Sequence, residues 1–272
     1  FLLQSTDELT TTFREAFHIA ASGRPGPVLI DIPSDILSEK MIFDYPDKVN
    51  LPSYRPTYRG NAKQIRAAVQ RMQRAERPVL YVGGGVVRGG ATQALADLVE
   101  ATNVPVVVSS GAADELVKLA NALQLPVVTT LMGKGAFPAS NPLNIGPVGM
   151  HGSKYANLAM TESDLIIACG ARFSDRVTGK LSEFAPHADV IHIDIDPAEI
   201  GKIRKEQIPI VGDLRGVLAG INEAVAKAGA KPITAPWLAQ IAEWRRRFPF
   251  YHSDLVEDPG RIVPETVMQK LS

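Results

Sequence analysis

The stretch from Arg77 to Gly90 limits most narrowly what this chain can fold into. Residues 78–82 form a short apolar run of β-forming residues that ends abruptly in Gly83–Gly85, and a helical pattern follows. A strand that breaks into a glycine turn and then a helix lets backbone N–H groups approach an anion. Glycine suits such a turn because a side chain would hold a phosphate away and because φ can be positive. The spacing is not that of a dinucleotide fingerprint, so a tight turn without a ligand remains the alternative.

Composition excludes several function classes. Lys plus Arg equals Asp plus Glu at 29 each in 272 residues, so no net field favours nucleic acid or an anionic membrane. No apolar run reaches the roughly 18 residues of a membrane span. The single cysteine, Cys169, lies in the run LIIACG, where a small buried hydrophobe is expected rather than a nucleophile. A lone cysteine fits a reducing compartment, and we expect a cytoplasmic protein without a targeting segment.

Amphipathic and fully apolar segments alternate along the chain, which indicates helices and buried parallel strands. The expected helices cover residues 7–21, 61–76, 153–162, 214–229 and 237–248. The expected strands cover residues 28–32, 78–82, 163–170, 187–197 and 208–211. Asp7 or Thr6 is the expected cap of the first helix, and Asn61 that of the second. The alternation predicts an α/β fold with a parallel, doubly wound, Rossmann-like sheet flanked by helices.

An internal repeat follows the glycine turn. Residues 91–110 and 112–131 each read as a helix followed by a strand, with matching residues 21 positions apart. Two copies are too few for a solenoid. An additional strand beside the turn would separate Gly83–Gly85 from the sequence TTLMGKG by about 4.8 Å. The sequence leaves open which copy pairs with the strand before the glycine turn.

The predicted strands end in GGG, TTLMGKG, CGARFSD and DIDP. Loops at the carboxyl ends of parallel strands are where such sheets bind ligands. Two of these loops, residues 131–152 and 171–186, are long enough to suggest a functional role. We therefore expect an extended, phosphate-containing ligand at this edge.

The segments GRPGPVLIDIPSD, LPVVTTLMGKGAFP, GPVGMHG and CGARFSDRVTGK resemble the large catalytic subunits of the acetolactate synthases, thiamine-diphosphate enzymes that also bind FAD. The resemblance implies three successive α/β domains. This chain would hold the end of the pyrimidine-binding domain (1–43), a linker (44–60), the FAD-binding domain (61–230), a linker and helix (231–260) and the start of the diphosphate-binding domain (261–272). The catalytic glutamate and the metal motif of the family match no residue here, so we expect this segment alone to be inactive and to hold no metal.

The resemblance also assigns site residues by matching motifs. The expected FAD contacts are Arg24, Gly83, Gly84, Gly85, Thr130, Leu131, Met132, Val148, Gly149, Met150, His151, Gly170, Ala171, Arg172, Asp194, Ile195, Asp213 and Leu214. Met150, Asp175 and Arg176 are the expected substrate-side residues, with Arg176 binding the carboxylate of the second 2-ketoacid and Asp175 holding Arg176. Ser34 and Ser174 stand where the family usually has Lys and Asp, which removes one charge at each place.

The resemblance further implies 2-ketoacid substrates, thiamine diphosphate and Mg²⁺ in the full-length protein, a homodimer or homotetramer, and a regulatory small subunit. Several of these residues also have an interpretation without any role in binding or catalysis. Asp175 and Arg176 could form a solvated ion pair worth at most about 1 kcal/mol, His151 could be an ordinary loop residue, and Asp196 could face solvent. Glyoxylate carboligase, pyruvate oxidase and an incomplete nucleotide- or flavin-binding module are the alternative functions.

Overall fold

A computed structural model describes residues 1–88, 112–229 and 233–249. Its centre is one sheet of six parallel strands in the order β3-β2-β1-β4-β5-β6. The strands are β1 (Pro78–Val82), β2 (Val127–Thr129), β3 (Asn144–Pro147), β4 (Leu165–Cys169), β5 (Asp189–Asp194) and β6 (Ile208–Val211). This strand order is that of the doubly wound fold, and the predicted fold class is confirmed.

Helices cover both faces of the sheet. The helices of the described residues are α1 (Leu9–Ala21), α2 (Ser34–Leu37), α3 (Ala62–Arg74), α4 (Gly84–Arg88), α5 (Ala113–Leu123), α6 (Lys154–Thr161), α7 (Asp175–Thr178), α8 (Leu214–Ala228) and α9 (Ala235–Arg247). Helices α3, α5 and α8 pack on one face, against Leu80, Val82 and Ile167. Helices α6 and α9 pack on the other, against Val79 and Tyr81. Strands β1 and β4 are buried throughout, because helices cover both of their faces.

Capping chemistry explains several helix boundaries. The Asn61 side chain accepts hydrogen bonds from the N–H groups of Lys63 and Gln64, as predicted. Ser153 caps α6 in the same way, and Gly229 ends α8 in the left-handed conformation. The cap predicted for the first helix is wrong: a 3-10 turn (Thr6–Glu8) precedes α1, and no side-chain cap forms there.

The second copy of the repeat occupies the sheet. Helix α5 and strand β2 belong to it, and β2 pairs directly with β1, with Leu80 opposite Val127. The Thr130 N–H donates to the Val82 carbonyl at 2.8 Å. The residue that follows β2 therefore lies beside the carboxyl end of β1. Its apolar positions Leu116 and Leu119 are fully buried. The first copy lies outside the described residues, as does the expected start of the diphosphate-binding domain at residues 261–272.

The strand predicted for residues 28–32 does not form. Only an isolated parallel bridge joins Leu2 to Asp31, and Leu29 is 81% exposed. An apolar run forms a buried strand only where neighbours pair with it, and the described residues offer this run just one bridge. Phe17 of α1 is likewise exposed, and the buried residues of this helix are Thr10, Thr12 and Ala16.

Both loops predicted as long irregular segments contain short elements. The first holds a 3-10 turn (Leu131–Gly133) and the edge strand β3. The second holds α7. The sequence pattern did not predict β3, because Gly146 and Pro147 argue against a strand. In the structure Gly146 has a φ of +94°, and the register of β3 against β2 shifts, as is typical of an edge strand. Residues 44–60 contain neither helix nor strand, in keeping with a connecting segment.

Candidate functional site

A cavity of about 510 Å³ lies at the carboxyl edge of the sheet. The segments that follow β1, β2, β4, β5 and β6 all contribute to its wall, and so does the segment after α1. This is the edge at which open parallel sheets bind ligands. Its volume lies within the range typical of small-molecule sites.

The structure brings most of the expected FAD contacts together in this one cavity. Those that line it are Arg24, Gly83, Gly84, Gly85, Thr130, Met132, Gly170, Ala171, Arg172, Asp194, Ile195, Asp213 and Leu214. Those that do not are Leu131, Val148, Gly149, Met150 and His151. The cavity also has lining residues that were not predicted: Ala21, Gly23, Pro25, Tyr58 and Ser174.

Close packing explains the Gly83–Gly85 turn. A Cβ at Gly83 would lie 2.2 Å from the Gly170 carbonyl oxygen, and one at Gly85 would lie 2.7 Å from the Gly170 Cα. The N–H groups of Gly83 and Gly85 donate to the Cys169 and Gly170 carbonyls at 3.1 and 3.0 Å. Positive φ occurs at Gly170 and not within this turn, so the conformational reason given for its glycines is wrong. The turn forms a bare backbone wall, and two of its N–H groups already have partners.

The loop after β2 presses on the same turn. A Cβ at Gly133 would lie 2.4 Å from the Val82 carbonyl oxygen. The Thr130 hydroxyl accepts the Gly133 N–H at 3.0 Å and so fixes the 3-10 turn. Within this rigid loop Met132 is 66% exposed while lining the cavity. The arrangement offers an apolar side chain to a ligand from a backbone that cannot easily move.

Two arginines provide positive charge to the cavity. Nη1 of Arg24 donates to Asp196 Oδ2 at 3.1 Å and to Glu199 Oε1 at 3.0 Å. The hydrogen bond with Asp196 is the main cause that raises the pKa of Arg24. Asp196 therefore forms an ion pair rather than simply facing solvent. Arg172 is exposed, and its side chain has no hydrogen-bond or ion-pair partner in the described part of the chain.

Two carboxylates of the cavity wall also have local structural roles. Asp213 Oδ1 accepts the N–H groups of Arg215 and Gly216 and caps α8. Asp194 Oδ1 accepts the N–H of Asp196 at 2.9 Å and fixes the turn after β5. Each carboxylate therefore lies in a defined position at one end of the cavity.

The expected substrate-side residues form a second, exposed group. The Met150 N–H donates to the Arg176 carbonyl at 2.9 Å, and the backbone of Gly149 packs against the same carbonyl. Arg176 Nε lies 3.8 Å from Asp175 Oδ2, with both side chains largely exposed. An ion pair of this kind contributes little stability. Backbone contacts therefore hold Met150 and Arg176 side by side, and the Arg176 head group stays accessible.

Buried polar groups lie beneath this edge. The Tyr81 hydroxyl donates to the Arg172 carbonyl at 3.0 Å, which fixes the loop after β4. Burial raises the pKa of Tyr81 and raises that of the Cys169 thiol to about 12, so Cys169 is inert, as expected. His192 is buried edge-on to Phe173, with the backbone of Ala171 beside its ring.

Stability is expected to depend on pH through His192. Burial is the main cause that lowers the pKa of this imidazole, and it outweighs the carboxylate of Asp194, the backbone of Ala171 and the more distant carboxylates of Glu206 and Glu199, which raise it. The unfolded chain takes up a proton at this residue below about pH 6.5 while the folded protein resists it. The contribution of His192 to the free energy of unfolding should therefore be flat above that pH and fall by up to about 1.4 kcal/mol per pH unit below it, until the folded protein also takes up the proton.

Urea denaturation between pH 4.5 and 8 measures this contribution in His192→Leu and the wild type. The stability difference between the two should be constant above pH 7 and shift in favour of the variant as the pH falls. His187→Leu, at an exposed position, is the matched control. Wild-type and His192→Leu curves that run parallel over the whole range would contradict the role of His192.

The remaining observations concern absent features. Within the described ranges no group of three or more His, Cys, Asp or Glu residues is arranged to hold a metal ion. Over the same residues, no helix has the length and apolar character to cross a membrane.

Most of the residues missed by the sequence interpretation lie outside the strand ends, and the exception is Ser174, in the loop after β4. Tyr58 belongs to an irregular segment, and Gly23 and Pro25 flank Arg24 without any charged or glycine-loop pattern of their own. Ser174 carried one signal, since the resembling family usually has a charged residue there. Periodicity could not have revealed the others, because only the folded chain brings the N-terminal segment to the sheet edge.

A model of the thiamine pyrophosphate enzyme central domain matches residues 65–111 and 107–221. The chain therefore belongs to this family. The two matched segments overlap where the first copy of the repeat ends and the second begins. An additional helix–strand unit in the sequence would divide the match in this way.

The chain is similar over its whole length to curated acetolactate synthases. It is 45% identical over 276 aligned residues to the acetolactate synthase of Mycobacterium bovis, covering all of this chain and 40% of that protein. It is 42% identical to the large subunit from Corynebacterium glutamicum, covering 40% of it, and 40% identical to the isozyme 3 large subunit of Escherichia coli, covering 44% of it. The chain thus spans less than half the length of these relatives.

Proposed function

We propose that this chain forms the FAD-binding part of a thiamine-diphosphate-dependent acetolactate synthase. The whole enzyme would condense pyruvate with a second pyruvate or with 2-ketobutyrate, giving 2-acetohydroxyacids for valine, leucine and isoleucine biosynthesis. The observation that carries the proposal is the cavity at the carboxyl edge of the parallel sheet, lined by two arginines and by glycine backbone. Similarity to acetolactate synthases along the entire chain supports the reaction.

The arginines suit the diphosphate of FAD. A guanidinium offers several donors in one plane to phosphate oxygens. Arg24 uses only Nη1 for Asp196 and Glu199, so its other nitrogens have no partner in the described chain. Arg172 has none at all there. We infer that Arg172 supplies an uncompensated charge, while Arg24 supplies a donor whose position its two carboxylates fix.

The remaining contacts follow the length of the cavity. Gly83–Gly85 and Gly170–Ala171 would lie along the ribityl and diphosphate groups, since bare backbone allows close approach. Thr130, Met132 and the exposed Leu131 would contact the flavin. Residues 148–151 lie outside the cavity, and we propose that they meet the flavin ring where it leaves the cavity. Asp194, Ile195, Asp213 and Leu214 would surround the adenosine.

Arg176 would bind the carboxylate of the second 2-ketoacid. Its head group is accessible, and the Met150–Arg176 backbone hydrogen bond holds the apolar Met150 beside it. A cation next to an exposed methionine matches a small ketoacid that has a carboxylate and an alkyl group. Asp175 would restrain Arg176 only weakly, given the 3.8 Å separation of their charged atoms.

Thiamine diphosphate, when bound, supplies an electron sink for the decarboxylation of a 2-ketoacid. We propose that it is held with Mg²⁺ by parts of the enzyme other than the residues described here. In this proposal residues 1–43 and 261–272 belong to the two thiamine-binding domains, with linkers at 44–60 and 231–260. The relatives named as large subunits suggest a regulatory small subunit. We propose in addition a homodimeric or homotetrameric assembly and a cytoplasmic location.

Two alternatives keep the same cavity. A glyoxylate carboligase or a pyruvate oxidase would use the FAD site with another outcome at the thiamine centre, and flavin reduction by pyruvate with oxygen uptake would indicate the oxidase. A catalytically incomplete flavin-binding module would bind FAD and form no acetolactate.

Titration with FAD, followed by quenching of flavin fluorescence, tests the proposal. We expect the wild-type chain to bind FAD and both Arg172→Ala and Arg24→Ala to bind it about 10- to 100-fold more weakly, as for loss of a charge-assisted hydrogen bond. Arg24→Ala also leaves the carboxylates of Asp196 and Glu199 without this cation beside the phosphate site. The loss of FAD affinity in this variant should therefore depend more steeply on salt concentration than that in Arg172→Ala.

Arg66→Ala provides the matched control, because Arg66 is exposed on α3 and does not line the cavity. It should bind FAD like the wild type. Failure of the wild-type chain to bind FAD would overturn the proposal. Wild-type affinity in both cavity variants would overturn the assignment of the diphosphate to Arg24 and Arg172.

A further inference from the structure

Tyr58 connects three parts of the structure. It belongs to the irregular segment 44–60, yet its side chain lines the cavity. Its hydroxyl oxygen accepts the Gly23 N–H at 3.1 Å. Its carbonyl accepts the N–H of Asp213 at 2.9 Å. Tyr58 therefore joins the N-terminal segment, the cavity wall and the residue that caps α8.

The phenol of Tyr58 retains a proton to donate. A phenolic hydroxyl can accept a hydrogen bond and donate another, and Gly23 uses only the acceptor function. No residue in the described ranges accepts the Tyr58 proton. The residue is 49% exposed while lining the cavity, so a ligand oxygen can reach this donor.

The neighbours of Tyr58 indicate which part of a ligand it meets. Gly23 precedes Arg24, one of the two cations of the cavity, and Asp213 caps α8 at the cavity wall. We propose that Tyr58 is a binding residue that donates its hydroxyl proton to a phosphate or ribose oxygen in the ADP half of the dinucleotide. Through Gly23 it also holds Arg24 at the cavity. This inference rests on the proposed FAD site.

Tyr54 offers a matched comparison. Its hydroxyl donates to the Ser22 carbonyl at 3.0 Å, one residue before Gly23. Tyr54 does not line the cavity. The Tyr54 hydroxyl also accepts from the Ser22 hydroxyl at 3.3 Å. Tyr58→Phe therefore removes one hydrogen bond to this turn and Tyr54→Phe removes two, but only Tyr58→Phe removes a donor to the ligand.

The experiment measures dissociation constants for FAD and for ADP in the wild type, Tyr58→Phe and Tyr54→Phe, together with thermal unfolding of each protein without ligand. We expect Tyr58→Phe to weaken both FAD and ADP by about three- to tenfold, as for loss of one neutral hydrogen bond. Tyr54→Phe should keep wild-type affinities. Both variants should show small decreases in Tm, and that of Tyr54→Phe should be at least as large, because it loses two contacts to the turn while Tyr58→Phe loses one.

The outcomes separate this inference from the proposed function. If the wild-type chain binds neither FAD nor ADP, the FAD site itself is refuted and this role of Tyr58 with it. If the wild type binds and Tyr58→Phe matches it, the donor role is refuted while the FAD site stands. Equal weakening in both variants would show that Tyr58 acts only by holding the Ser22–Gly23 turn, and would also overturn the contact.

Discussion

Gly83→Ala is expected to destabilise the fold by about 4 kcal/mol or more, at the upper end of single substitutions. The new Cβ would lie 2.2 Å from the Gly170 carbonyl oxygen and 2.4 Å from the Ala171 Cα. Both contacts are to backbone, so no side chain can rotate away to relieve them. Relief requires the loops after β1 and β4 to separate, which breaks the Gly83–Cys169 and Gly85–Gly170 hydrogen bonds.

Gly84→Ala is the matched control for this experiment. A Cβ there would lie 3.2 Å from the Met132 Cβ, so the loop after β2 would need to move by only a few tenths of an ångström. We expect a cost of about 1 kcal/mol or less. Urea denaturation of both variants measures the difference. Equal stability of Gly83→Ala and Gly84→Ala would contradict the close backbone packing on which the shape of the cavity depends.

The central sheet was predictable because its strands are buried on both faces. The run at residues 165–169 is apolar throughout, so it can only form a strand that is buried on both faces, and its composition alone predicts a central position in the sheet. The same holds for the loops at the carboxyl edge, whose convergence follows from parallel pairing. Most of the expected FAD contacts therefore line one cavity, although their role in binding remains a prediction.

The failures occur where the structure depends on distant neighbours. The run at residues 28–32 has strand composition but only the Leu2–Asp31 bridge to pair with. Strand β3 is the reverse case, since Gly146 and Pro147 argue against a strand while edge pairing with β2 permits one. Tyr58 reaches the cavity through a tertiary hydrogen bond to Gly23, and no local pattern encodes such a contact.

Each copy of the repeat contains a segment with the apolar pattern of the strand that pairs with β1, and the second copy supplies that strand in the structure. Buried Leu116, Leu119, Val127 and Val128 of the second copy have identical counterparts 21 residues earlier in the first. The copies differ where the second places Leu123 in the core, because the first has Thr102 at the matching position. A threonine there would leave a gap and bury a hydroxyl, and both effects cost stability.

Two deletions of equal length test which copy suits the sheet. Deleting residues 91–111 joins Gly90 to Ala112 and leaves only the second copy. Deleting residues 109–129 joins Val108 to Thr130 and leaves only the first. We expect the first variant to stay within about 1 kcal/mol of the wild type, because it keeps the described core contacts of the second copy and because the length of a connecting chain changes closure entropy little. The second should be less stable by about 2–4 kcal/mol.

Urea denaturation and FAD titration of the two deletion variants measure the outcome. The variant that keeps the second copy should bind FAD like the wild type, because Thr130 and Met132 then follow the same strand as in the structure. Introducing Thr102→Leu into the other variant should recover part of its lost stability, since it restores the side chain found at Leu123. Equal stability of the two deletions, or no gain from Thr102→Leu, would show that core composition does not decide which copy enters the sheet.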